Sequence, residues 1–455
     1  MILFCSTLLI AENNFESWQE QEAQSFQMFQ SNEDKAFMEY LKEWKWYQEE
    51  KSPKLYSKPK PQIQPIIKPF LMYKKPSSIK MVKPLIHGVP TVSKLLYPVD
   101  FKSIELDFVG HALSFAYPQK MRDSLLRPST QTISKFWQKV TQQNYHILVD
   151  RIKLYQEQYQ LNGWATYLLV KKISQQITQE PNAQTALKWF LLIKMGIDAK
   201  VGISQEQLVL MVHGSNLIYA TRYFTLNHKR YFVLDGSIST DKLQIYKRGN
   251  SNLLALDFMG QPLLKQNIQE GIVKFNFKNR AYEIAFYYNK NLIDFYHSYP
   301  QIPYNYYTHM NLSKQSKHSL NKTLKPIVEQ MNQIDAINFL LRLTQNGFNY
   351  KRDHAQFGKE KVMFFEETLA YAYSDCEDRA IFFTQLVKTL LSVEIVLIKY
   401  PNHLATAIAL NSNIKGETIT YQDRKFYIAD PTYARSNIGQ AMPQLQGQKI
   451  KIIEP

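Results

Sequence analysis

SDCEDRA at 374–380, NHLATAI at 402–408 and FYIADPTY at 426–433 are the segments on which the reading of this chain turns. Between the first two lie a helical pattern and a β-branched run, VEIVLIKY, at 393–400. Cys376, His403 and Asp430 follow one another in that order, each 27 positions after the last. Ser374 and Glu377 make an S-x-x-E capping box, with Asp375 as the alternative N-cap. Phe383, Leu386, Val387, Leu390 and Leu391 then share one helical face. Cys376 therefore falls in the first turn of a helix, where backbone N–H groups and the dipole favour a thiolate. Asp375, Glu377 and Asp378 oppose it by repulsion, so an imidazolium is needed nearby, and His403 is the candidate.

The partners are expected on strands. Pro401-Asn402 ends the β-branched run, His403 opens the next strand, and Asp430 closes a later one before Pro431. If 411–424 act as a return loop, the start of one strand lies beside the end of its antiparallel neighbour. Asp430 can then orient the His403 ring. If 417–421 form a middle strand, the two are separated. Taken singly, the three have ordinary structural readings: a small buried thiol, a strand-opening turn residue, an Asp-Pro turn. Their joint order points to a site.

With NYKRDHAQFG before the Cys, then SDCEDRA, YPNHLATA and ADPTY, residues 325–445 resemble the bacterial transglutaminase-like cysteine peptidases of the papain-like superfamily. The resemblance implies an α+β fold, with a Cys-bearing helix packed on an antiparallel sheet. It implies Cys376 as nucleophile, His403 as general base and acid, and Asp430 as the orienting carboxylate. It also implies an oxyanion hole from the nucleophile's backbone N–H and an upstream side chain, for which Gln356 is the candidate. Tyr371 and Tyr373 read as packing residues. Thiol acyl chemistry calls for no cofactor and no metal.

An upstream stretch looks like a degenerate copy of the same module. Residues 186–203 (ALKWFLLIKMGIDAKVGI) can be laid on 380–397 (AIFFTQLVKTLLSVEIVL) at an offset of 194, which puts Cys376 on Asn182. KRYFVLD at 229–235 resembles RKFYIAD at 424–430 and puts Asp430 on Asp235. His403 then falls near Asn216. A copy without nucleophile or base can bind but cannot carry out acyl transfer.

Composition bounds the remainder. A chain of 455 residues with 45% hydrophobic and 13% aromatic content has material for two or three packed domains. Gly contributes only 15 residues, and neither a P-loop nor a dinucleotide fingerprint is present. Two cysteines, Cys5 and Cys376, allow no disulfide framework and no Cys-based zinc site, and no His pair has metal-ligand spacing. The formal net charge is +16, yet ten Lys and no acidic residue lie within 51–99. The basic balance thus belongs mostly to a segment. It is Lys-rich, has no Arg, and carries aromatics only at Tyr56, Phe70, Tyr73 and Tyr97, so nucleic-acid binding is not expected. A solvated linker, or contact with an anionic envelope surface, fits it better.

The expected organisation is as follows. Residues 1–11 read as a signal-peptide remnant, from the apolar run ILFCSTLLI before Ala11. Residues 12–50 read as an amphipathic helical segment, and 51–99, with nine Pro, as an extended linker. Residues 100–240 form the degenerate module, 241–320 a β-rich insert, and 321–455 the transglutaminase-like domain. No apolar stretch is long enough for a transmembrane helix. The functional expectation is an exported, periplasmic or cell-envelope cysteine peptidase or amidase acting on a peptide, a protein or an envelope crosslink. Water is favoured over an amine as acyl acceptor. The alternatives are a protein-crosslinking transglutaminase and a non-catalytic envelope scaffold or peptide-binding protein.

Overall fold

The computed structural model describes residues 32–39, 41–53, 100–122, 127–236, 238, 242–246 and 253–455. The signal-peptide reading, most of the linker and half of the N-terminal helical segment lie outside these residues. The architecture is α+β, with curled antiparallel sheets and helices packed against them.

One topology occurs twice. Each half opens with a hairpin, Phe101–Phe108 with His111–Pro118 in the first and Ile268–Phe277 with Arg280–Asn289 in the second. Helices follow, ending in Gly163–Ile177 and Pro181–Lys194 in the first half and in Gln333–Gly347 and Cys376–Leu390 in the second. A sheet completes each half. Its central order is Ala199–Ser204, Gln207–His213, Lys229–Asp235, Arg222–Leu226 in the first, and Ile395–Tyr400, His403–Ala409, Arg424–Ala429, Thr418–Tyr421 in the second.

The registers coincide as well as the order. The pairs Ala199↔Val212 and Ser204↔Gln207 correspond to Ile395↔Ile408 and Tyr400↔His403. Val212↔Phe232 and His213↔Tyr231 correspond to Ile408↔Tyr427 and Ala409↔Phe426. The hairpins Arg222–Leu226/Lys229–Asp235 and Thr418–Tyr421/Arg424–Ala429 turn through two residues with positive φ, Asn227-His228 and Gln422-Asp423. That turn type suits the twist of the flanking strands. Lys242–Tyr246 and Lys451–Ile453 add to the same edge in the two halves. The ladder therefore corrects the sequence alignment. Gln207, not Asn216, occupies the place of His403; Asp235 ends its strand as Asp430 follows its own, but a bulge between Leu210 and Met211 sets it opposite Leu210, the counterpart of Thr406, whose partner is Ala429.

The two sheets close differently. In the first, one stretch of chain pairs with both edges: Trp44–Gln48 with Lys242–Tyr246, and Glu50–Lys51 with Arg222 and Tyr223. The sheet is thereby wrapped into a ring, in which one stretch covers part of both edges. This corrects the helical reading of 12–50 for the residues after 41. Among the described residues of that segment, 32–39 are helical, with Phe37 packed on Trp137 at 4.3 Å between ring centroids. In the second sheet, Thr418–Tyr421 and Lys451–Ile453 are the edges among the described residues.

The β-rich reading of 241–320 is also corrected. After Lys242–Tyr246 and the hairpin, the chain turns helical at Lys290–His297, Tyr304–His309 and Lys314–Thr323. Asn289 caps the first of these by accepting from Asn291 N at 3.2 Å. Leu292, Phe295, Tyr296 and Tyr299 then bury at helical spacing against Phe364 and the first half. The first hairpin reverses at Val109-Gly110, both with positive φ.

Candidate active site

The Cys-bearing helix starts where the sequence places it, by a different cap. Asp375 is the N-cap, and its N–H donates to Asp378 Oδ2 at 3.0 Å. Asp378 Oδ1 accepts from Met363 N at 2.9 Å. Ser374 instead takes a hydrogen bond from Arg379 Nε at 3.1 Å. Glu377, released from capping, turns to the neighbouring thiol: Cys376 Sγ donates to Glu377 Oε2 at 2.9 Å.

His403 and Asp430 are brought together by the sheet. Thr418–Tyr421 exists as a strand but lies on the outer side of Arg424–Ala429, not between the partners. His403–Ala409 and Arg424–Ala429 are direct neighbours, with Thr406 opposite Ala429. Asp430 follows directly on that last pair, towards the His403 end of the neighbouring strand. The result is a hydrogen bond between His403 Nε2 and Asp430 Oδ2 at 2.8 Å. Asp430 Oδ1 is fixed by Thr432 N at 2.9 Å and Tyr433 N at 3.3 Å, an Asx turn formed with the following Pro-Thr-Tyr.

All three residues are buried: Cys376 is 3% exposed, His403 6% and Asp430 1%. Burial disfavours the imidazolium, but the charge and hydrogen bond of Asp430, with the charge of Glu377, outweigh it. The His403 pKa is therefore held above its ordinary value. Glu377 accepts a hydrogen bond from the thiol, and its charge also supports the His403 imidazolium.

The first half shows what the same topology brings together at this point. Its helix begins at Pro181, as the other begins at Cys376. Asn182, in that first turn, accepts from Leu208 N at 2.8 Å and donates to Glu206 O at 3.0 Å. These groups flank Gln207, the counterpart of His403. Asp235, at the end of its strand, accepts from Tyr167 Oη at 2.6 Å and from Lys171 and Lys188 Nζ at 2.8 Å each. A closed ionic network stands there, with neither thiol nor imidazole.

Two contributors escape the sequence reading. Arg379, 4% exposed, donates to Ser374 Oγ, to Gln345 O at 3.3 Å and to Phe348 O at 2.7 Å. Burial disfavours its charge, and Tyr350, Asp375, Asp378 and Cys376 support it, so the start of the Cys-bearing helix lies in the field of a buried cation. Its place three residues after Cys376, on the same helix, was the available signal. The second contributor is acidic. Asp353, Glu360 and Glu377 hold carboxylate oxygens within 4.8 Å of one another, as do Asp353, Asp375 and Asp378. This all-oxygen set has the chemistry that a hard divalent cation takes. Three of its members also serve as hydrogen-bond acceptors: Asp353 from Lys361 N at 2.8 Å, Asp378 and Glu377 as above.

Gln356 lies one turn after Asp353 on the short helix Asp353–Phe357, half-buried, with a buried amide oxygen that has no hydrogen-bond partner among the described residues. Tyr371 packs on Phe357 and hydrogen-bonds His297 Nδ1 at 3.2 Å. Tyr373 is 37% exposed with Lys351 over its ring, so it is a surface residue and not the packing residue expected. No protein-family model matches the chain, and comparisons with curated proteins and with solved structures find no match.

Proposed function

We propose that the chain is a cysteine peptidase or amidase on a transglutaminase-like, papain-like fold, with Cys376, His403 and Asp430 as its triad. The observation that carries this reading is the buried His403–Asp430 pair at 2.8 Å, with the Cys376 thiol bonded to Glu377, whose charge also acts on His403. Asp430 takes Nε2 of the imidazole, which leaves Nδ1 for the thiol proton. Once the thiol proton has moved to His403, the thiolate attacks the amide carbonyl and a C–S bond forms. The tetrahedral intermediate collapses, the C–N bond breaks, and His403 protonates the departing amine. Water then adds to the thioester with His403 as base, and the C–S bond breaks to release the acid. Arg379 and the helix N-terminus stabilise the thiolate against the surrounding carboxylates. Because Cys376 is 3% exposed, substrate entry requires local opening of the site. Export to the cell envelope and a peptide or crosslink substrate belong to the same proposal. A lysine amine in place of water would make the product an isopeptide.

A non-catalytic scaffold is the competing reading, and one observation favours it: the first half carries the topology with its site replaced by the Asp235 network. The deciding experiment is amine release from a peptide and envelope-crosslink mixture, by wild type and by Cys376→Ala. The enzyme reading predicts release that the variant abolishes. Equal release, or none from either, favours the scaffold.

A further inference from the structure

We propose that Gln345 is the positioning residue of this site, setting Asp430, and through it His403, against the helix that carries Cys376. The proposal rests on the triad reading above. Gln345 lies in the last turn of the helix Gln333–Gly347 and is 4% exposed. Its Nε2 donates to Asp430 O, Ser436 O and Ser436 Oγ, each at 3.1 Å. Its Oε1 accepts from Arg342 Nη1 at 2.9 Å and Arg435 N at 3.1 Å. Its backbone carbonyl accepts from Arg379 Nη1, three residues after the nucleophile. One residue thus holds both the chain segment of the orienting carboxylate and the helix of the thiol.

The consequence is geometric. Asp430 Oδ1 is tied to its own loop by Thr432 N and Tyr433 N, so the carboxylate moves with the Asp430 backbone. That backbone is held at its carbonyl by Gln345. A shift there displaces Oδ2 from His403 directly, and orientation of a catalytic base tolerates little displacement. The position needs a donor and an acceptor on one neutral side chain, which Gln supplies and Glu or Met does not.

Two comparisons within the molecule separate this role from general packing. Asn338, on the same helix face, accepts from Ile438 N at 2.8 Å and so anchors the same loop away from Asp430. In the first half, the helix Gly163–Ile177 has the same length and the same kind of Asn cap, yet places Gln175 at this point, where it is exposed. The clamp accompanies the half that carries the triad.

The test is the pH profile of Cys376 alkylation, read on the Cys376 peptide by mass spectrometry, in full-length wild type, His403→Ala, Gln345→Met and Asn338→Ala. Thermal melts establish that each variant is folded. We expect Gln345→Met to react about tenfold more slowly at mildly acidic pH, equivalent to one unit of thiol pKa, approaching His403→Ala. We expect Asn338→Ala to keep the wild-type profile despite a lower melting temperature. If Gln345→Met fails to fold, Ser436→Ala, which removes another contact to the Asp430 carbonyl, should shift the profile in the same direction. A wild-type profile in Gln345→Met, or in Ser436→Ala where it stands in, overturns the positioning role. So does an equal shift in Asn338→Ala. A wild-type profile indifferent to His403→Ala overturns the triad itself, and the positioning role with it.

Discussion

At His403, burial and charge act in opposite directions, and charge prevails. This makes a stability statement with a definite sign. A folded pKa above the unfolded value of about 6.5 means that the imidazolium binds its proton more tightly in the native state. The stabilisation is fully present below about pH 6.5 and is lost as pH rises through the folded value, at about 1.4 kcal/mol for each unit of displacement. Denaturant midpoints of wild type and His403→Asn, compared from mildly acidic to alkaline pH, should show a difference that shrinks as pH rises. A difference that stays constant or grows would contradict the ion pair.

At the scale of elements, the Cys-bearing helix depends on Arg379. It satisfies two backbone carbonyls and the Ser374 hydroxyl from within the core. Arg379→Met would leave these groups unpaired beside Asp375 and Asp378, at a cost of roughly 3–5 kcal/mol. Chemical denaturation measures this, and a loss below about 1 kcal/mol, the size of an exposed pair, would contradict it.

The helix itself was legible because its capping residues and apolar face are local signals. The assignment of the cap was not, since Ser374, Asp375, Glu377 and Asp378 all offer acceptors and only packing decides among them. His403 and Asp430 were legible as strand ends, but their contact depends on which strand lies between them. Trp44–Gln48 was misread because its partner, Lys242–Tyr246, is far away in sequence, and a strand closing a ring leaves no local trace. The aromatic run after Asn289 misled through β propensity, although its buried positions follow helical spacing. Val109-Gly110 hid a hairpin because Val is an uncommon residue for a positive-φ turn.

At the scale of the molecule, one topology is built twice, with Cys376 and the His403–Asp430 pair in one half and an ionic network in the other. The Asp235 network is a structural tie. Burial raises the Asp235 pKa, but Lys188, Lys171 and Tyr167 together hold it below the ordinary value. Asp235→Ala strands the Lys188 ammonium, 5% exposed, and should cost roughly 3–5 kcal/mol. It should leave the pH profile of Cys376 alkylation unchanged. A changed profile would mean that the two halves share a site. That stabilisation is present above the unfolded Asp pKa of about 3.9 and is lost as pH falls through the lower folded value.

In the proposed reading, Cys376, His403 and Asp430 form one chemical unit. The most direct measurement is the rate of Cys376 alkylation against pH, in wild type and in His403→Ala. If the three act together, reaction is rapid well below the ordinary thiol pKa of about 8.5, and His403→Ala loses it. Slow reaction with the same profile in both proteins would contradict it.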